Sequence, residues 1–176
     1  MKKITSHEIA LSALACAMAT MILTLGIYSD FFLFTGYLLG SVALMLPLAK
    51  KSYIGYVLAY LATTILTLLF SSFRFWEVLP FAMFFGLHPL VNELQLKTKI
   101  NRWVACAIKA AWFDITAYVV WLVLFQMTTA IEWLNAYMVP IIFIVGTVFF
   151  AFYDYLFYRC RAVVNVTVAR IDKNKK

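Results

Sequence analysis

The stretch that decides the fold is residues 9–27, IALSALACAMATMILTLGI, a run with no charged side chain. A helix needs about 20 apolar residues to cross the hydrocarbon core of a bilayer. Met1-Lys2-Lys3 resembles the basic start of a secretory leader, but His7 and Glu8 interrupt the approach and the run is long enough to span, so helix 1 is expected to be retained. Working outward, five more apolar runs follow, each bounded by charged or turn-forming residues. They place helices at about 31–49, 53–70, 76–94, 103–127 and 136–158, after helix 1 at about 9–28. Pro47 falls in the last turn of helix 2. Pro80 and Pro89 fall within helix 4, and Pro140 falls in the first turn of helix 6.

The expected fold is therefore an all-α integral membrane bundle of six transmembrane helices, a single domain over 1–176. Hydrophobic residues make up 65% of the 176 residues and charged residues 13%, against about 45–50% and about 25% in a soluble domain. Six crossings use roughly 120 residues, which leaves short loops and no room for a soluble catalytic domain. Of the basic residues, all but Arg74 and Lys109 fall on one side of this arrangement: Lys2, Lys3, Lys50, Lys51, Lys97, Lys99, Arg102 and the run from Arg159 to Lys176. The positive-inside bias places that side, and both termini, in the cytoplasm. The N-terminal residues 1–8 and a basic tail at about 159–176 are expected there, the tail resting near anionic membrane lipid. The net charge of +7 is explained by topology and calls for no nucleic acid. The expected location is a cell membrane, multi-pass, of prokaryotic plasma-membrane type.

Helix 1 is rich in small side chains. Ala13 and Ala17, and Ala15 and Ala19, form two A-x-x-x-A spacings, and Gly36 and Gly40 repeat the spacing in helix 2. Residues four apart share a helix face, and small side chains there allow close backbone approach within lipid. Such faces serve either internal packing or a partner membrane protein. With its six short spans, both ends inside and this alanine pattern, the chain resembles a substrate-binding S component of an energy-coupling factor (ECF) transporter. The resemblance implies capture of a vitamin-like micronutrient near the outer face. It also implies docking through the first helices, at Ala13, Ala15, Ala17 and Ala19, onto a transmembrane T subunit driven by cytoplasmic ATPases. No vitamin-specific motif is present, so no ligand residue carries over from the family.

The outer loops gather Asp30, Arg74, Trp76, Glu77, Glu132 and Trp133, which together could hold a small-molecule substrate. Rings can stack on a planar ligand and Arg74 can fork onto a carboxylate or phosphate; an interfacial aromatic belt and an Arg74–Glu77 surface pair are the plainer alternatives. Four ionisable residues are expected inside the membrane. His88 and Asp114 both fall about twelve residues into their helices, roughly 18 Å deep. Lys109 and Asp154 fall at a second shared level nearer the inner ends. Each pair reads as a polar clamp or as part of a proton relay. Cys16, Cys106 and Cys160 are far apart and expected as small buried residues, with no metal or disulfide role. No metal-binding H-E-x-x-H, glycine-rich phosphate loop or nucleophilic triad occurs, so neither an enzyme nor a cofactor is expected. Two other readings remain open: a structural or scaffold membrane subunit of envelope assembly, and a small proton-coupled carrier using His88 and Asp114.

Overall fold

A computed structural model describes residues 5–98, 100–125 and 132–173, with side chains except at 30, 124–125, 132–136 and 172–173. Every regular element among the described residues is helical. Helix α1 covers Ser6–Tyr28. A 3-10 turn at Asp30–Phe32 leads into α2, Leu33–Ala43, and α3, Met45–Ala49. Helix α4 covers Tyr53–Phe70 and α5 covers Phe75–Pro80. A π-helical segment at Phe81–Phe85 precedes α6, His88–Gln95. Helix α7 covers Arg102–Phe125 and α8 covers Glu132–Ile141. A second π-helical segment, Ile142–Gly146, joins α8 to α9, Thr147–Lys173.

Four helical stretches, Ser6–Tyr28, Tyr53–Phe70, Arg102–Val123 and Tyr137–Ile171, are long and apolar enough to cross a membrane. Their outward faces carry large apolar side chains: Met21, Leu25, Ile65, Ile108, Ile144 and Val148 are all more than half exposed. An aqueous surface would not favour such faces, whereas lipid does. These are the features of a multi-pass membrane protein. The stretch Leu33–Ala49 is apolar but shorter.

Local chemistry sets the ends and breaks of the helices. At the start of α1, the Glu8 N–H donates to Thr5 Oγ1 at 3.3 Å and the Thr5 N–H donates to Glu8 Oε2 at 2.8 Å. This reciprocal cap satisfies two otherwise orphaned donors. The run expected as continuous helix 2 is broken at Leu44, because Pro47 has no N–H to give the Ala43 carbonyl. Chain reversal after α3 and after α4 uses left-handed backbone at Lys51 (φ 57°) and at Ser72 and Phe73 (φ 55° and 59°).

Helix 4 of the sequence reading departs furthest from expectation. Instead of one span over 76–94, α5 and α6 are separated by the π segment. Pro80 and Pro89 remove two backbone donors, and the wide turn leaves carbonyls without helical partners. Neighbouring side chains fill the gaps. Ser41 Oγ donates to the Phe85 carbonyl at 2.7 Å, the carbonyl left without a helical donor because Pro89 has no N–H. Tyr60 donates to Ala82 O at 2.6 Å, Tyr56 to Gly86 O, and Tyr37 to Glu77 O. A broken helix buried away from water needs such substitutes, because nothing else replaces the lost bonds. Helices α2 and α4 thus hold the broken helix in place, and with it His88.

The contact between α1 and α2 is a backbone crossing at two glycines. A Cβ on Gly36 would stand 3.3 Å from Gly26 Cα and 3.4 Å from the Ile22 carbonyl. Gly40 meets the Leu23 side chain in the same way. The small face of helix 2 is therefore used for internal packing. The core is aromatic. Phe81, Phe84 and Phe150 are fully buried, and Phe84 touches the rings of Trp112, Phe113 and Phe150 at centroid distances of 4.9, 5.1 and 6.0 Å.

The basic tail also differs from expectation. Helix α9 does not stop near Tyr158 but continues to Lys173. Val168 is buried on it and Val164 packs on the core, so apolar residues in the tail keep it docked and helical.

Candidate functional site

The π segment delivers His88 to the first turn of α6, where it is fully buried. One turn later on the same face comes Asn92. Lys109 from α7 and Asp154 from α9 converge on it. Lys109 Nζ donates to Asp154 Oδ1 at 2.7 Å and to Asn92 Oδ1 at 2.6 Å. Asn92 Nδ2 lies 3.4 Å from the same Asp154 oxygen. His88 Nε2 stands 3.2 Å from it, close enough for an ion-pair contact but not aligned as a hydrogen bond, and Nδ1 has no hydrogen-bond partner among the described residues. The imidazole is walled by the rings of Phe84, Tyr153 and Phe157 at 5.2, 4.9 and 5.1 Å. Three helices thus share one charge network. Its Lys–Asp pair is satisfied by opposite charge and hydrogen bonds, the condition under which buried charges persist.

The level shared by Lys109 and Asp154 brings them into contact. The proposed partnership of His88 with Asp114 does not form: His88 joins Asp154 instead. Asp114, also buried, accepts a hydrogen bond from Thr147 Oγ1 at 2.8 Å through Oδ2, and its Oδ1 has no hydrogen-bond partner among the described residues. That oxygen faces the second π segment, where a Cβ on Gly146 would stand 2.8 Å from it. About two turns along α9 from Asp154, Arg161 reaches Glu93 on α6, with Nη2 2.7 Å and Nε 2.8 Å from Glu93 Oε2. Asn92, Glu93 and Arg161 were not singled out from the sequence as site residues. The i, i+4 spacing of His88 and Asn92 was the available signal.

The network forms the floor of a cavity of about 660 Å³ between α3, α6, α7 and α9. Lys109, Asp154, Asn92 and the Glu93–Arg161 pair line it, and the exposed Arg102, Trp103 and Tyr158 form its rim. The rim lies at the end of the molecule that carries Lys50, Lys51 and Lys97. Cys106 also lines this cavity. Cys16, Cys106 and Cys160, expected as buried, are only half-buried free thiols.

At the opposite end, the turn after α1 meets the turn after α4. Tyr28 donates to the Phe70 carbonyl at 2.9 Å, and the Arg74 guanidinium lies 5.7 Å from the Tyr28 ring centre. Arg74 Nη1 is 3.4 Å from Glu77 Oε1. Trp76 stands edge-on to Phe75 at 5.0 Å. The side chains of Asp30, Glu132 and Trp133 lie outside the described residues; in the backbone, Asp30 opens the 3-10 turn and Glu132 and Trp133 open α8. Arg74, Trp76 and Glu77 therefore share one end of the bundle.

The alanine face of helix 1 divides. Ala15 and Ala19 are fully buried, whereas Ala13 and Ala17 face outward. No cluster of three or more metal-ligating side chains occurs among the described residues. Compared with protein-family models, curated proteins and solved structures, the chain matches none.

Proposed function

We propose that this protein is a membrane-embedded substrate-capture subunit of the S-component kind. On this reading it takes up a vitamin-like micronutrient without catalysis, together with a T subunit and cytoplasmic ATPases. The observation that carries the reading is the cavity lined by Asn92, Lys109 and Asp154, the network that His88 joins through Asp154. Ionisable groups at membrane depth are costly and mark solute pathways, and this network borders a space large enough for a small molecule. Six crossings are read as α1, α2–α3, α4, α5–α6, α7 and α8–α9, with both termini in the cytoplasm of a prokaryotic cell. The cavity then faces inward as the release side, and Arg74, Trp76 and Glu77 sit on the capture side with Asp30, Glu132 and Trp133. Ala13 and Ala17, facing out, are the docking face for the partner, while Ala15 and Ala19 hold the bundle together.

Purification in mild detergent, followed by identification of bound small molecules and co-purifying subunits, tests this directly. A bound micronutrient and an ATPase pair support the reading. A protein that is folded but carries neither refutes it and leaves the scaffold reading. One observation favours a second reading, a proton-coupled carrier: His88 shares an oxygen of Asp154 with Lys109, so a proton gained at either group would disturb the ion pair. Uptake driven by a pH gradient in vesicles containing this protein alone would establish that alternative.

A further inference from the structure

The cavity at the basic end has an unequal charge balance. Lys109 is matched by Asp154 at 2.7 Å and Arg161 by Glu93 at 2.7 Å. Arg102 on the rim has no carboxylate within ion-pairing distance among the described residues. It opens α7, whose first backbone N–H groups add partial positive charge at the same place. Trp103 beside it is 82% exposed and Tyr158 across the cavity is 56% exposed. The positive-inside rule accounts for basic loops at this end. It does not account for Arg161 and Lys109 pointing into a cavity between helices, nor for an aromatic rim around it.

We infer that this cavity binds an anion: a phosphate or carboxylate group carried on a partly apolar body. The anion would seat between Arg102 and Arg161, with the apolar body against Trp103, Tyr158 and Leu48. Arg102 supplies the uncompensated charge and the planar fork that suit either group. Arg161 can share its guanidinium between Glu93 and the ligand, since an arginine has five donors. Lys51 and Lys97, at the same end of the molecule, raise the local anion concentration. The same chemistry has two sources. One is a soluble anionic solute in the release position. The other is the headgroup of an anionic inner-leaflet lipid, for which basic pockets between membrane helices are suited. The inference rests on reading the cavity as the inward side of the proposed capture subunit, but not on any energising partner.

The test uses the full chain in non-ionic detergent, with thermal unfolding as readout. It is titrated separately with inorganic phosphate, dioctanoyl phosphatidylglycerol and dioctanoyl phosphatidylcholine. Saturable stabilisation by phosphate assigns a soluble anion. Stabilisation by phosphatidylglycerol but not by phosphate assigns the lipid headgroup. In either case Arg102→Gln should weaken the apparent affinity roughly tenfold or more, the loss expected for one charge-assisted contact. Arg102 is exposed, so the variant keeps its fold. No stabilisation by any of the three, equal stabilisation by phosphatidylcholine, or an unchanged affinity in Arg102→Gln overturns the inference. Failure here leaves the capture-subunit reading standing if a micronutrient and ATPases co-purify. Success without them retains the anion site and removes the partner.

Discussion

Replacing Asp154 with alanine is the most informative perturbation of the buried network. Lys109 is 5% exposed in its side chain, and Asp154 is the carboxylate paired with it. After the substitution the ammonium keeps Asn92 Oδ1 at 2.6 Å but has no opposite charge. At 2.7 Å and an effective dielectric of about 20, the lost Coulomb attraction is about 6 kcal/mol before desolvation is counted. Removing one member of a buried pair leaves an uncompensated charge and costs about 3–5 kcal/mol net. Replacing both members with apolar residues of similar size removes the desolvation cost as well. Lys109→Met combined with Asp154→Leu should therefore return to within about 1 kcal/mol of the parent. Reversible unfolding in mixed micelles, run as a double-mutant cycle, measures both quantities. A single Asp154→Ala that costs less than about 1 kcal/mol, or a double variant no better than the single, would refute the claim that Asp154 compensates the buried charge of Lys109.

Three further outcomes follow from the packing. Gly36→Leu should abolish folded yield in detergent, because even its Cβ would meet Gly26 Cα at 3.3 Å; a normally folded variant would show that α1 and α2 do not cross there. Ala15→Leu should fail to fold, while Ala13→Leu should fold and lose co-purifying subunits; size-exclusion profiles of the two variants separate internal packing from docking. Arg74→Ala should cost only about 0–1 kcal/mol of stability, as befits a half-exposed pair one turn apart. The same variant weakens substrate binding roughly tenfold or more only if the outer end is the capture side, which a dissociation constant on purified protein decides.

That the chain is helical, with several runs able to span a membrane, was legible in the sequence, because apolar run length translates directly into span. Lys109 and Asp154, expected at one level of their helices, do meet. His88 and Asp114 shared a depth too, yet do not meet. Depth along a helix says nothing of rotation about its axis, and a π turn after Pro80 changes that rotation by adding a residue. The prolines were visible, but the hydroxyls of Ser41, Tyr56 and Tyr60 that make the break tolerable lie on other helices and carry no local signal. The two alanine spacings of helix 1 were equally small on paper. Only the packing of α1 shows that Ala15 and Ala19 are internal and Ala13 and Ala17 are not. The helical continuation of α9 past Arg159 was obscured by its basic residues, between which Val164 and Val168 supply the docking face.

The account depends most on which end of the bundle faces the cytoplasm, because that fixes the cavity as the inward side. Single cysteines at Thr98 and Ser72, both exposed and at opposite ends, can be placed in a background lacking Cys16, Cys106 and Cys160. They can then be labelled in intact cells with an impermeant reagent. The account predicts that the Ser72 position labels readily in intact cells and the Thr98 position only after permeabilisation. Labelling of the Thr98 position from outside would contradict it.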